Sequence, residues 1–105
     1  NWANLIAVKL KLNQIDREFE QGIANTSVLG AWETQVQLKV TEIGLASWSN
    51  ISPNARINVL NSAKRAMQMT PNKVLDLAKK HKKFRHLCLI APDNFRKRTN
   101  ECNQV

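Results

Sequence analysis

Leu5, Val8, Leu12, Ile15 and Phe19 follow one another at steps of three, four, three and four residues. That spacing places all five apolar side chains on one face of an α-helix and divides them between both faces of a strand. The pattern returns three times. Leu29, Trp32, Val36, Val40 and Ile43 form a second stripe, and Ile57, Leu60, Ala63 and Met67 a third. A fourth runs through Val74, Leu77, Ala78, His81, Phe84 and Cys88. Strand-like alternation of useful length is absent, as are hairpin dipeptides such as Asn-Gly. The chain therefore predicts an all-α fold, a compact bundle of four to six helices. Its expected core is Leu5, Leu12, Ile15, Phe19, Trp32, Val36, Val40, Leu60, Met67, Val74 and Leu77.

Helix ends come from local chemistry. Trp2 begins the first helix, and Gly22 is a plausible stop. Asn25-Thr26-Ser27 offers capping oxygens for the second, and Ser49-Asn50 closes it. Ser52-Pro53 and Thr70-Pro71 each put a capping hydroxyl before a proline at the first helical position, where its missing N–H costs nothing. Pro92 limits the fourth helix. Residues 1–92 thus read as a single helical domain and 93–105 as a polar, basic tail. The first residue is Asn, so the chain reads as a fragment or a processed mature protein. No apolar run approaches the roughly 18 residues that span a bilayer.

Charge is the most informative bulk property. The net charge is +8, yet the N-terminal half carries slightly more acid than base. The excess falls after residue 52. Lys79, Lys80, Lys82, Lys83 and Arg85 take five of seven consecutive positions, and Arg96, Lys97 and Arg98 add a second cluster. On a continuous helix the first cluster leaves only the His81–Phe84–Cys88 stripe uncharged. Such a face suits nucleic acid or another polyanion. Lysines at a helix C-terminus also answer the helix dipole, with no partner at all.

Catalytic chemistry is not visible. Gly22, Gly30 and Gly44 form no phosphate-cradling loop, and no G-x-S-x-G motif occurs. Asp16, Glu18 and Glu20 read as a solvated, charge-balanced surface around Arg17. His81, His86, Cys88 and Cys102 lack the short paired spacings of a zinc site. No cofactor, metal or small-molecule substrate is expected. Among the tryptophans, Trp32 reads as core. Trp48, at a helix end, is the candidate anchor for a protein partner. Cys88 and Cys102 either form one bridge, which would close a loop of about 15 residues and hold Arg96, Lys97 and Arg98 near Lys79–Arg85, or stay as free thiols with Cys88 a buried small hydrophobe; the second reading is preferred. That favours the cytoplasm or nucleus over secretion.

The early helices carry Trp2, Leu5, Leu10, Leu12, Ile15-Asp16 and Glu18, and the later part Leu45-Ala46-Ser47-Trp48, Ile57, Leu60 and Val74-Leu75-Asp76-Leu77. Over residues 2–78 this resembles the death-domain superfamily. The resemblance implies a six-helix, non-catalytic fold that assembles through like domains. Val36-Gln37-Leu38-Lys39-Val40, Gly44-Leu45-Ala46-Ser47-Trp48 and Arg65-Ala66-Met67-Gln68 also look like segments of the mollusc sperm lysins. Those are basic, helical, secreted recognition proteins. Both resemblances imply binding, not catalysis. The function expected is a protein–protein interaction module with a basic C-terminal surface, with nucleic-acid or polyanion binding as the alternative.

Overall fold

A computed structural model describes residues 2–82, 84–88 and 91. Six α-helices form among them: α1 (Trp2–Lys11), α2 (Arg17–Leu29), α3 (Thr34–Ala46), α4 (Pro53–Met69), α5 (Pro71–His81) and α6 (Phe84–Cys88). A short 3-10 turn, Trp48–Asn50, joins α3 to α4. The all-α bundle read from the spacing is the fold that forms. No helix among the described residues is long and apolar enough to cross a membrane. The proposed tail, 93–105, lies outside the described residues.

The first stripe divides between two helices. Asn13 takes a left-handed conformation at φ 57°, which asparagine tolerates better than most residues. The amide of Gln14 then donates to the Lys9 carbonyl at 2.8 Å, and that of Asn13 to Leu10 at 3.0 Å. This pair of bonds closes a helix C-terminus. Three residues later Asp16 caps α2, its carboxylate accepting from the Phe19 amide at 2.9 Å. The acids beside it, Glu18 and Glu20, sit in the first turn of α2, where the helix dipole favours them.

The break re-aims α1. Its inward face is Ala3, Ile6, Ala7 and Leu10, a second helical stripe interleaved with the first. Ile6 is fully buried, while Leu5, Val8 and Leu12 are 36%, 53% and 60% exposed. Leu5 and Leu12 are therefore not core residues. Lys9 is buried as well, and ion-pairs with Asp16 at 3.0 Å and Glu18 at 2.8 Å.

Gly22 does not stop α2. It lies inside the helix, and a Cβ there would run into the side chain of Ile6. Its smallness lets α1 and α2 touch. Asn25-Thr26-Ser27 likewise falls within α2 and caps nothing. Thr26 bonds back to the Gly22 carbonyl at 2.7 Å. The helix ends at Gly30, and α3 starts at Thr34. The stretch that spacing had joined to α3 is a turn, so Trp32 is 95% exposed and not core.

Among the core residues expected from spacing, Phe19, Val40, Met67 and Val74 are buried. Ile15, Leu60 and Leu77 pack at its margin, and Val36 is half-buried. Ile23, Ile43, Leu45, Val59, Ala63, Ala66, Ala78 and Leu87 complete much of it. At α4 the Ser52 hydroxyl accepts from the Ala55 amide at 3.2 Å. The same hydroxyl donates to Glu20 at 2.6 Å, and the Ser52 amide does so at 2.8 Å, linking the starts of α2 and α4.

Polar side chains tie the end of α2 into the bundle. The Gln37 amide donates to the carbonyl of Gly30 at 2.6 Å and of Ser27 at 3.3 Å. Ser62 donates to the Ser27 hydroxyl at 2.7 Å, and Arg65 to the Ser27 carbonyl at 2.9 Å. Buried carbonyls near a helix end are thereby satisfied.

Two outcomes check this arrangement. Ile6→Ala should destabilise by about 2–5 kcal/mol, whereas Leu12→Ala should cost under about 1 kcal/mol, both read by denaturant unfolding. Equal losses would return Leu12 to the core. The Phe19 amide and then Lys9 hold the Asp16 carboxyl below its ordinary 3.8. A depressed carboxylate stabilises the fold above its ordinary value, and that contribution is lost as pH falls through the folded value. Asp16→Asn should lower the melting temperature at pH 7 and flatten its decline below pH 3.8.

Candidate functional site

The structure moves the expected protein anchor. Trp48 is not half-exposed at a helix end but buried at 8% exposure. The Arg56 guanidinium lies over its ring, 5.2 Å from the centroid, and donates to the Trp48 carbonyl at 3.0 Å. The chain folds back through the 3-10 turn after Ser47, which turns the indole inward. Trp48 is thus packed inside the bundle and not the half-exposed anchor its place at a helix end predicts.

Trp32 takes its place on the surface. After α2 the Ala31 amide bonds to Val28 at 3.3 Å, and the Glu33 amide to Gly30 at 2.9 Å. These bonds close a tight turn with Trp32 inside it, pointing to water. Val28 and Leu29, just before the turn, are 68% and 74% exposed. Across from the turn, Met69 at the end of α4 is 39% exposed. Ala31, Trp32, Arg65, Gln68 and Met69 line an open cleft of about 350 Å³. Thr34 donates to the Met69 sulfur at 3.3 Å and fixes its rim. A neighbouring cleft of about 210 Å³ runs from Trp2 to Leu29 and Val36. Leaving a large apolar side chain in water forgoes on the order of 1.5–3 kcal/mol that burial would give. The sequence held a signal for this turn. Gly30 is a helix-stop residue between Leu29 and Trp32, and the apolar stripe masked it.

The basic cluster is where the sequence put it, but its shape differs. It does not lie on one continuous helix. Lys82 adopts the left-handed conformation at φ 57° and ends α5. The chain then turns and α6 begins at Phe84. Lys79, Lys80, Lys82 and Arg85 are all exposed around this turn. Lys83, Arg96, Lys97 and Arg98 lie outside the described residues.

Among the described residues, Glu42 reaches this cluster. Lys80 donates to Glu42 of α3 at 3.0 Å, and the His81 ring nitrogen Nε2 lies 3.7 Å from the same oxygen. The Lys80 contact holds the Glu42 carboxyl below its ordinary range. Glu42 also borders a cleft of about 350 Å³ between α3 and α5, where Lys39 and Lys73 are balanced by Glu42 and Asp76. Elsewhere base dominates: between Glu42 and Asp76 the sequence has no acidic residue.

Cys88 corrects the thiol expectation. It is buried and disulfide-bonded, not free. Cys102, the other cysteine of the chain, lies outside the described residues. No group of three or more His, Cys, Asp or Glu side chains converges on a metal-sized point among the described residues. No family model, no curated protein and no solved structure matches the chain.

The Glu42 contact gives a direct check on the cluster's geometry. Lys80→Ala should move the Glu42 titration upward, toward its ordinary 4.5, in a side-chain carboxyl NMR experiment. An unmoved titration would mean that Lys80 does not sit over Glu42.

Proposed function

We propose that this chain is a non-catalytic protein–protein interaction module whose contact surface centres on Trp32. The observation that carries it is the 95% exposure of Trp32 beside Val28, Leu29 and Met69. Scattered exposed apolar residues are ordinary, but a tryptophan standing free among other large apolar side chains is not. Tryptophan and arginine are enriched among residues that dominate binding energy, and Arg65 lines the same cleft. Arg65 is held in place through Ser27, so little side-chain freedom remains for a partner to remove. The resemblance to the death-domain superfamily over residues 2–78 would make a like domain the partner. The absence of a nucleophile–base motif from the sequence supports the non-catalytic part of the reading.

Trp32→Ala provides the test. The side chain is almost wholly in water, so the variant should keep its melting temperature and helical spectrum. It should lose capture of the protein partner, with affinity falling by more than about 2 kcal/mol, roughly thirtyfold. Trp48→Phe serves as contrast and should act on stability. Equal capture by wild type and Trp32→Ala would move the contact surface away from Trp32.

A further inference from the structure

We propose that the turn between α5 and α6 is a binding site for a sulfated polysaccharide, contacted by Lys79, Lys80, Lys82 and Arg85. Three observations carry it. The four side chains are exposed around the link between α5 and α6. A left-handed Lys82 ends α5 there, so cations come from two helix ends and the link between them instead of from one helical stripe. A flexible, repeating anionic chain is met by such an array of point charges, since lysine ammonium groups bind anions without demanding a planar fork.

Among the described residues base outweighs acid around the turn. From residue 43 to residue 91 the sequence holds nine Lys and Arg against the single acid Asp76. Glu42 from α3 takes one hydrogen bond from Lys80. Among the described residues, Lys79, Lys82 and Arg85 form no ion pair with it. The helix dipole explains cations in the last turn of α5. It does not explain Lys82 beyond that turn or Arg85 in the helix that follows.

Cys88 decides between polyanions. It is disulfide-bonded and lies three residues after Arg85, on the helix that presents this cation. Disulfides persist in oxidising compartments and are rare where nucleic acid is the abundant polyanion. At cell surfaces and in the matrix the dense anionic polymers are sulfated glycans. The same bond favours an extracytoplasmic setting over the cytoplasm or nucleus expected from the sequence.

The test uses the full chain with its disulfide intact. Heparin, heparin stripped of sulfate and duplex DNA are titrated by calorimetry at two salt concentrations. Heparin should bind, with log affinity falling against log salt at a slope of about −3 for four contacts. Removing sulfate should weaken binding at least tenfold, and DNA should bind more weakly than heparin. Changing Lys79, Lys80, Lys82 and Arg85 together to Gln should weaken heparin binding at least tenfold without altering the helical spectrum. A control with Lys11, Arg17, Lys39 and Lys64 changed to Gln removes equal charge elsewhere and should bind within about threefold of wild type. Equal losses in both variants would overturn the site, leaving net charge as the cause. DNA binding as tight as heparin would overturn the sulfated-glycan assignment, and no heparin binding would overturn the proposal.

Discussion

The bundle depends on the close approach of α3 to α4 at Gly44. A Cβ at this position would collide with the branched side chain of Val59 on all its carbons. Val59 is fully buried, as are Val40 one turn before Gly44 and Ala63 one turn after Val59. Small and branched residues alternate across the contact, so two helix backbones come near without a void between them. α2 then lies over this pair through Phe19 and Ile23, and α1 lies over α2 because Gly22 admits Ile6. Two of these close contacts, α3 with α4 and α1 with α2, are made possible by a missing side chain on one partner.

Polar residues fix how far each helix extends. Gln37, Ser62 and Arg65 all meet α2 near Ser27 and the turn after it. Without Gln37 and Arg65 the Ser27 carbonyl would lose its donors, at a cost of about 1–3 kcal/mol. Glu20 does the corresponding work at the other end, bonding both the amide and the hydroxyl of Ser52. The exposed turn that carries Trp32 therefore projects from a fastened helix end.

Helix content and the two Pro-marked starts were legible because they depend on neighbours in sequence, although Thr70, unlike Ser52, makes no side-chain capping bond. Which stripe faces inward was not. In α1 the stripe Leu5, Val8, Leu12 and the stripe Ala3, Ile6, Ala7, Leu10 are both helical. The first is bulkier, and it continues in register through Ile15 and Phe19. The left-handed residue Asn13 breaks that register, and only the second stripe can then meet Gly22. The signals were present: Asn13, then Asp16 with acids behind it, marks a stop and a start. Lys82 resisted reading for a related reason, because lysine is not a usual left-handed residue and nothing local announces the turn. The candidate site was half legible. The basic cluster followed from composition, whereas the exchange of Trp48 for Trp32 depended on the path of two connections.

The two surfaces are separated by a rigid element. Met69, beside Trp32, is the last residue of α4, and α5 starts two positions later at Pro71. The basic turn lies at the far end of α5, an 11-residue helix of about 16 Å at 1.5 Å per residue. Val74, Leu75 and Ala78 bury one face of that helix in the core, which fixes the distance. Sixteen ångströms exceeds the screening length of about 8–10 Å at physiological ionic strength. Charge at the α5–α6 turn therefore has little leverage on contacts made at Trp32. Among the described residues lining the Trp32 cleft, the one cation is Arg65, already engaged with Ser27. Binding proposed there would come from apolar contact and shape, and binding proposed at the far end from charge. Salt would separate the two: it would weaken the second steeply and leave the first nearly unchanged.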